Sequence, residues 1–172
     1  MIWMDILLFI LLITCGYTDL RYQRVPNIVL LPAALLSLIL HLWQGGIEGF
    51  FSWSKGLGVG VALFLLPFLW GGIGAGDVKL LGVIGALKGT TFVFYSFLAT
   101  AFIGGLISVG ILLYQGKLTQ TFKQIGMSLK IFFYSRLSVW NMPGLDEESK
   151  SSVVFPYGIA IVLGTIMTYW VM

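Results

Sequence analysis

Of the seven acidic residues in this 172-residue chain, two stand where they could do chemistry. Asp19 lies just past the first apolar run, and Asp77 opens the fourth within Gly74-Ala75-Gly76-Asp77-Val78-Lys79-Leu80-Leu81. Asp5 and Glu48 fall near the opposite ends of apolar runs, and Asp146, Glu147 and Glu148 sit in a polar stretch. Taken singly, an aspartate beside an apolar helix is a cap or a topological marker, and Asp77 suits a first helical turn, where the macrodipole favours its charge. A facing pair is different. Two carboxylates brought close cannot both ionise cheaply, so they share a proton. One can then act as base toward a water while its protonated partner hydrogen-bonds a scissile carbonyl. No nucleophilic pair competes. His41, the sole histidine, belongs to the other ends of the runs, and Cys15, the sole cysteine, lies in an apolar run. One cysteine also excludes disulfides within the chain and cysteine-rich metal sites.

The residues around Asp77 divide by role. Gly74 and Gly76 lack side chains where an extended peptide would need to approach the acid. They do not form a dinucleotide fingerprint, because Lys79 stands where the third glycine would be needed. Lys79 is placed to meet a phosphate headgroup, to tune Asp77, or simply to snorkel to the interface. Gly82 with Ala86, Gly85 with Gly89, and Gly56 with Gly60 are small residues four apart, the pattern of a helix-packing face.

The elements that must position these residues are apolar helices. The chain is 58% hydrophobic and only 10% charged, with a mean hydropathy of +0.97. A soluble domain carries about 25% charged residues. This composition indicates an all-α, polytopic membrane protein in contact with the lipid bilayer, and the net charge of +3 without a basic-aromatic cluster gives no reason to expect nucleic acid. Six apolar segments can be drawn: Ile2–Tyr17, Ile28–Trp43, Gly56–Trp70, Val78–Leu87, Phe92–Tyr114 and Val153–Val171. No repeat or linker divides them, so residues 1–172 are expected to form one membrane-embedded domain. The fourth segment is short for a span of about 30 Å. Counting it as a transmembrane helix nevertheless places Arg21, Arg24, Lys79, Lys117, Lys123, Lys130, Arg136 and Lys150 on one side, leaving only Lys55 and Lys88 on the other. The positive-inside rule therefore favours six spans with both termini outside, and parity puts Asp19 and Asp77 together at the cytoplasmic face.

Trp3, Trp43, Trp53 and Trp170 then fall at outer ends and Trp70 at an inner end, as interfacial anchors do. Met1–Thr18 lacks the positive start of a cleaved signal and is expected to be a retained span. Within Gln115–Ser152, apolar residues from Leu118 to Phe133 recur at helical spacing, which predicts a cytoplasmic amphipathic helix with Lys123 and Lys130 toward anionic headgroups. Pro143-Gly144 ends it before the acidic run 146–148, expected to be a solvated connector, with a lid or an acidic lip for a basic peptide as the alternative.

The assembled motifs resemble the type IV prepilin peptidase family, membrane aspartyl proteases related to the preflagellin peptidases. The family's first acid precedes a Pro-Asn pair, here Asp19 through Pro26-Asn27, and its second lies in Gly-x-Gly-Asp-x-Lys-Leu, here Gly74 to Leu80. A late Pro-Tyr/Phe-Gly segment is also similar, here Phe155-Pro156-Tyr157-Gly158. The resemblance implies cleavage of the basic leader of pilin-like (prepilin or Flp-type) precursors at the cytoplasmic side of the cell membrane, with Asp19 and Asp77 as the catalytic pair. Gly74, Gly76, Lys79, Pro26, Asn27, Pro156 and Tyr157 would support them, Asn27 by orienting Asp19, and neither metal nor organic cofactor is implied. The Cys-x-x-Cys pairs of bifunctional members are missing, so peptidase activity without N-methylation is expected. Presenilin-type proteases fit poorly, since Thr18 rather than tyrosine precedes Asp19 and Tyr157 follows Pro156. A small carboxylate-dependent transporter or a structural pilus-assembly subunit is the alternative function. Oligomeric state, a homo-oligomer included, is left open.

Overall fold

The structure, a computed structural model, describes residues 2–22, 25–114 and 157–172, apart from the Leu112 side chain. The segment expected to be amphipathic, the acidic run 146–148, Arg24 and Pro156 lie outside the described residues. These residues form α1 (Ile2–Tyr22), α2 (Asn27–Leu69), α3 (Ala75–Lys88), α4 (Thr90–Tyr114) and α5 (Tyr157–Val171), with no strand among them. The chain divides into two units, residues 1–104 with 156–172, and residues 105–155. The candidate site and the packing described below belong to the first.

Among the described residues, three helices are long and apolar enough to cross a membrane: α1, α2 and residues 90–111 of α4. The second is not one straight rod. Gly46 has φ 53° and ψ −128° inside its 43 residues. At Gly49 a Cβ would stand 2.0 Å from the His41 carbonyl oxygen, although eight residues of unbroken helix would separate the two by about 12 Å. The chain therefore folds back at Gly46, a backbone state glycine adopts without strain. The arms 27–45 and 47–69 contain the second and third apolar segments, and both continue as helix through the polar residues between them.

Both arms pack on α3. Asn27 and Ser37 of the first arm hydrogen-bond Lys79 and the Ala86 carbonyl, so that arm runs parallel to α3. On the second arm Gly56 meets Gly85 and Gly60 meets Leu81, so it runs antiparallel. A Cβ at Gly56 would lie 2.0 Å from the Gly85 oxygen, and one at Gly85 would lie 2.1 Å from the Gly56 oxygen. The small residues four apart thus do what their spacing predicts: they let two backbones touch. In lipid, where apolar burial between helices gains little, such close packing is a main source of association.

Embraced in this way, α3 buries Leu80 through Leu87 without interruption. A helix apolar all round belongs in an interior. On α1, Met4, Leu8, Leu11, Leu12 and Cys15 form one buried stripe, and all of these but Met4 share a core with Leu80, Leu81, Ile84 and Leu87 of α3, Phe64 of α2 and Ile161 of α5. At the far end of α3, Gly89 (φ 87°) donates its N–H to the Gly85 carbonyl at 2.8 Å and turns the chain into α4. There Lys88 pairs with Asp5 of α1 and lies over the rings of Tyr169 (4.7 Å) and Phe92 (5.6 Å).

Candidate active site

The buried stripe of α1 continues by one turn from Cys15 to Asp19, which explains why a carboxylate in the last part of that helix points inward. Only 5% of Asp19 is exposed. Its Oδ2 accepts the Ile159 N–H at 3.1 Å, and the Gly158 backbone also hydrogen-bonds it. Both donors are among the first described residues of α5 and are spent on the carboxylate of another helix. A Cβ at Gly158 would stand 2.6 Å from the Asp19 Cγ. No residue but glycine fits there without moving the acid.

Asp77 lies in the first turn of α3, three residues after the N-cap Gly74. It is 9% exposed, and its carboxylate takes a hydrogen bond from the Gly74 backbone, the reciprocal half of a capping box. Its helix thus explains part of its placement. The rest comes from α1: Asp77 lies in the electrostatic field of Asp19, and Cys15, one turn back on α1, senses both acids. Two buried carboxylates on different helices thus lie within electrostatic range of one another at one end of the core.

The supporting residues are distributed differently. Pro26 is the N-cap of α2 and Asn27 its first residue, as the Pro-Asn pattern suggests. The Asn27 Oδ1 accepts from Lys79 Nζ at 3.1 Å. Together Asn27 and Lys79 border a cavity of about 310 Å³, otherwise lined mainly by Leu30, Leu31, Ala34, Leu57, Val61 and Val83. Gly76 faces Val25, in the link between α1 and α2, with only 3.1 Å available to a Cβ, so its missing side chain admits this chain's own backbone link. Gly74 borders the acid itself, its Cβ position lying 3.3 Å from Asp77 Oδ2. Tyr157 heads α5 beside Gly158. His41 is remote from the pair: its Nδ1 donates to the Ser37 carbonyl at 2.9 Å, and it borders a cavity with Asp5, Glu48 and Lys88.

Two participants were not picked out from the sequence, Gly158 and the Ile159 amide. The visible signal was the glycine of Pro156-Tyr157-Gly158, but its contact with Asp19 depends on how α5 docks.

Residues 6–109, which include both aspartates and the Gly74–Leu81 stretch, match the family model described as the type IV leader peptidase family. The prepilin leader peptidase/N-methyltransferase of Bacillus subtilis (strain 168) is 33% identical over 102 residues, covering 56% of this chain and 39% of that protein. The chain thus matches well under half the length of this curated relative. No solved structure matches significantly. With more than half of its length matched by the family model, and with the two acidic motifs inside the match, the chain belongs to the type IV leader peptidase family.

Proposed function

We propose that this protein is a membrane aspartyl endopeptidase that removes the basic leader of type IV pilin-like precursors at the cytoplasmic face. One observation carries the reading: Asp19 and Asp77, each at least nine-tenths buried, are brought from α1 and α3 into each other's electrostatic field. Family membership supplies the substrate class, and the relative's name includes a leader peptidase. The aspartate pair accounts for that peptidase activity.

The chemistry needs one proton on the pair. The ionised aspartate takes a proton from water as the water oxygen attacks the scissile carbonyl carbon, and the protonated aspartate gives its proton to the carbonyl oxygen. The resulting gem-diol collapses when the first aspartate passes its proton to the amide nitrogen. The C–N bond breaks, and a gem-diol hydroxyl returns a proton to the second aspartate. Each carboxyl group ends as it began.

Six crossings, with the two arms of α2 counted separately and α3 and α5 as short spans, would bring both aspartates to one side. The described cations fit an inward aspartate end. Arg21 and Lys79 accompany the aspartates, whereas Lys88 lies at the other end of α3. The test is processing of pilin-like precursors with varied leaders in membranes, with sequencing of the new N-terminus. Asp19→Asn and Asp77→Asn should each abolish cleavage while the protein remains folded. Normal cleavage by both variants would falsify the assignment, and carboxylate-dependent ion flux without leader cleavage would favour a transporter.

A further inference from the structure

The two acids have unequal surroundings. Asp77 is bonded within its own helix, by the backbone of Gly74. Asp19 is bonded across helices, by the Ile159 N–H and the backbone of Gly158. The Ile159 amide, donating at 3.1 Å from another helix, favours negative charge on Asp19, because hydrogen bonds to a carboxylate stabilise its charged form. Each acid lies at the described start of a helix, Asp77 in the first turn of α3 and Asp19 against the start of α5, so the helix dipoles do not separate the two. Gly158 keeps the start of α5 close, since a Cβ would lie 2.6 Å from Asp19 Cγ and 2.7 Å from Oδ2.

We infer that the amino-terminal turn of α5 is a positioning element that holds Asp19 as the anion of the pair and leaves the shared proton on Asp77. Resting on the peptidase reading, this makes Asp19 the base that deprotonates water and Asp77 the acid that protonates the carbonyl oxygen. Gly158 and Ile159 act through Asp19 and need not touch substrate. Both lie beyond the residues matched by the family model.

The titratable groups around Asp19 among the described residues are Asp77 from α3, Cys15 on α1 and Tyr157 at the head of α5. Arg21, two residues on, donates to the Tyr17 hydroxyl at 2.8 Å. Lys79 is directed to Asn27. Asp77 is therefore the charge against which any change at Asp19 is to be read.

Ile159→Pro removes the amide donor. Gly158→Ala keeps the amide and displaces the carboxylate. With purified full-length protein in lipid nanodiscs, both variants should lower kcat for leader cleavage, with KM nearly unchanged. In both, the acidic limb of the kcat profile should move upward, by about one pH unit for the lost amide. Infrared titration of isotope-labelled aspartate, without substrate, should show the same upward shift in loss of one carboxylate band. Coincident infrared titrations for wild type and both variants would overturn the inference, as would a fall in kcat with both pH limbs fixed. If wild type cleaves no precursor but the infrared shift appears, the peptidase reading fails while the positioning of Asp19 stands.

Discussion

Helix α1 carries a carboxylate to α3 at each of its ends. Near its start, Asp5 pairs with Lys88, and near its finish, Asp19 lies within electrostatic range of Asp77. The first meeting is complementary: opposite charges join, two aromatic rings lie under the ammonium, and Lys88 suits the last turn of α3. The second sets like charges together in a buried place, which works against stability unless one of them is neutralised. One helix pair thus contains both a clasp and a strained junction. Under the proposed function such a cost is expected, since active sites commonly sacrifice stability.

Replacing either acid of the strained end separates that cost from the function. Asp77→Asn and Asp19→Asn should each reduce cleavage by about 10³-fold or more. Their thermal midpoints should stay level or rise, because the variant pair can no longer place two charges together. A large drop in midpoint for Asp77→Asn would make that end a structural junction after all.

The next effect strikes both ends at once. Gly56→Ala places a Cβ against the Gly85 carbonyl oxygen and forces apart the backbones that hold α3. A loss of about 3 kcal/mol is expected from such overpacking, read by thermal or denaturant unfolding in detergent. Little change there would mean that the arms of α2 are not what fixes α3.

Opening the clasp should do less. Lys88→Met or Asp5→Asn should cost about 1–3 kcal/mol, since both side chains are mostly buried, and cleavage per folded molecule should persist. The double variant should cost less than the sum of the two. Strict additivity in that cycle would show that the pair contributes nothing by pairing.

The gentlest probe is pH. At low pH both acids of the strained end are protonated and no base remains; at high pH both are ionised and no acid remains. Cleavage should therefore rise and fall between two coupled ionisations, whereas the clasp should leave that profile unmoved in Lys88→Met. A flat profile across the acidic and neutral range would count against a shared proton.

The strained end was more legible in the sequence than its supports. Asp19 and Asp77 stand out because carboxylates are scarce in this chain and because they border apolar runs. The glycine faces were legible too, since four-residue spacing is a local property of one helix. The fold at Gly46 was only half visible: the apolar segments stop at Trp43 and resume at Gly56, but helix continues on both sides of the break. The pairing of Lys79 with Asn27 and the approach of Gly158 to Asp19 were hidden, because they depend on how separate helices rotate and dock. The neighbour of Gly76 was hidden for the same reason. The small size of Gly76 reads as room for substrate, while in the fold Val25 lies beside it.

The unbroken burial of Leu80 through Leu87 gives α3 a freedom that lipid-facing helices lack. A helix jacketed by protein need not match the thickness of the bilayer, so its length can serve as a measure. With Lys88 anchored at one end, each added or deleted turn would carry Asp77 by about 5.4 Å along the axis. The short helix would in this sense act as a ruler, its length setting how far Asp77 lies from the Lys88 anchor.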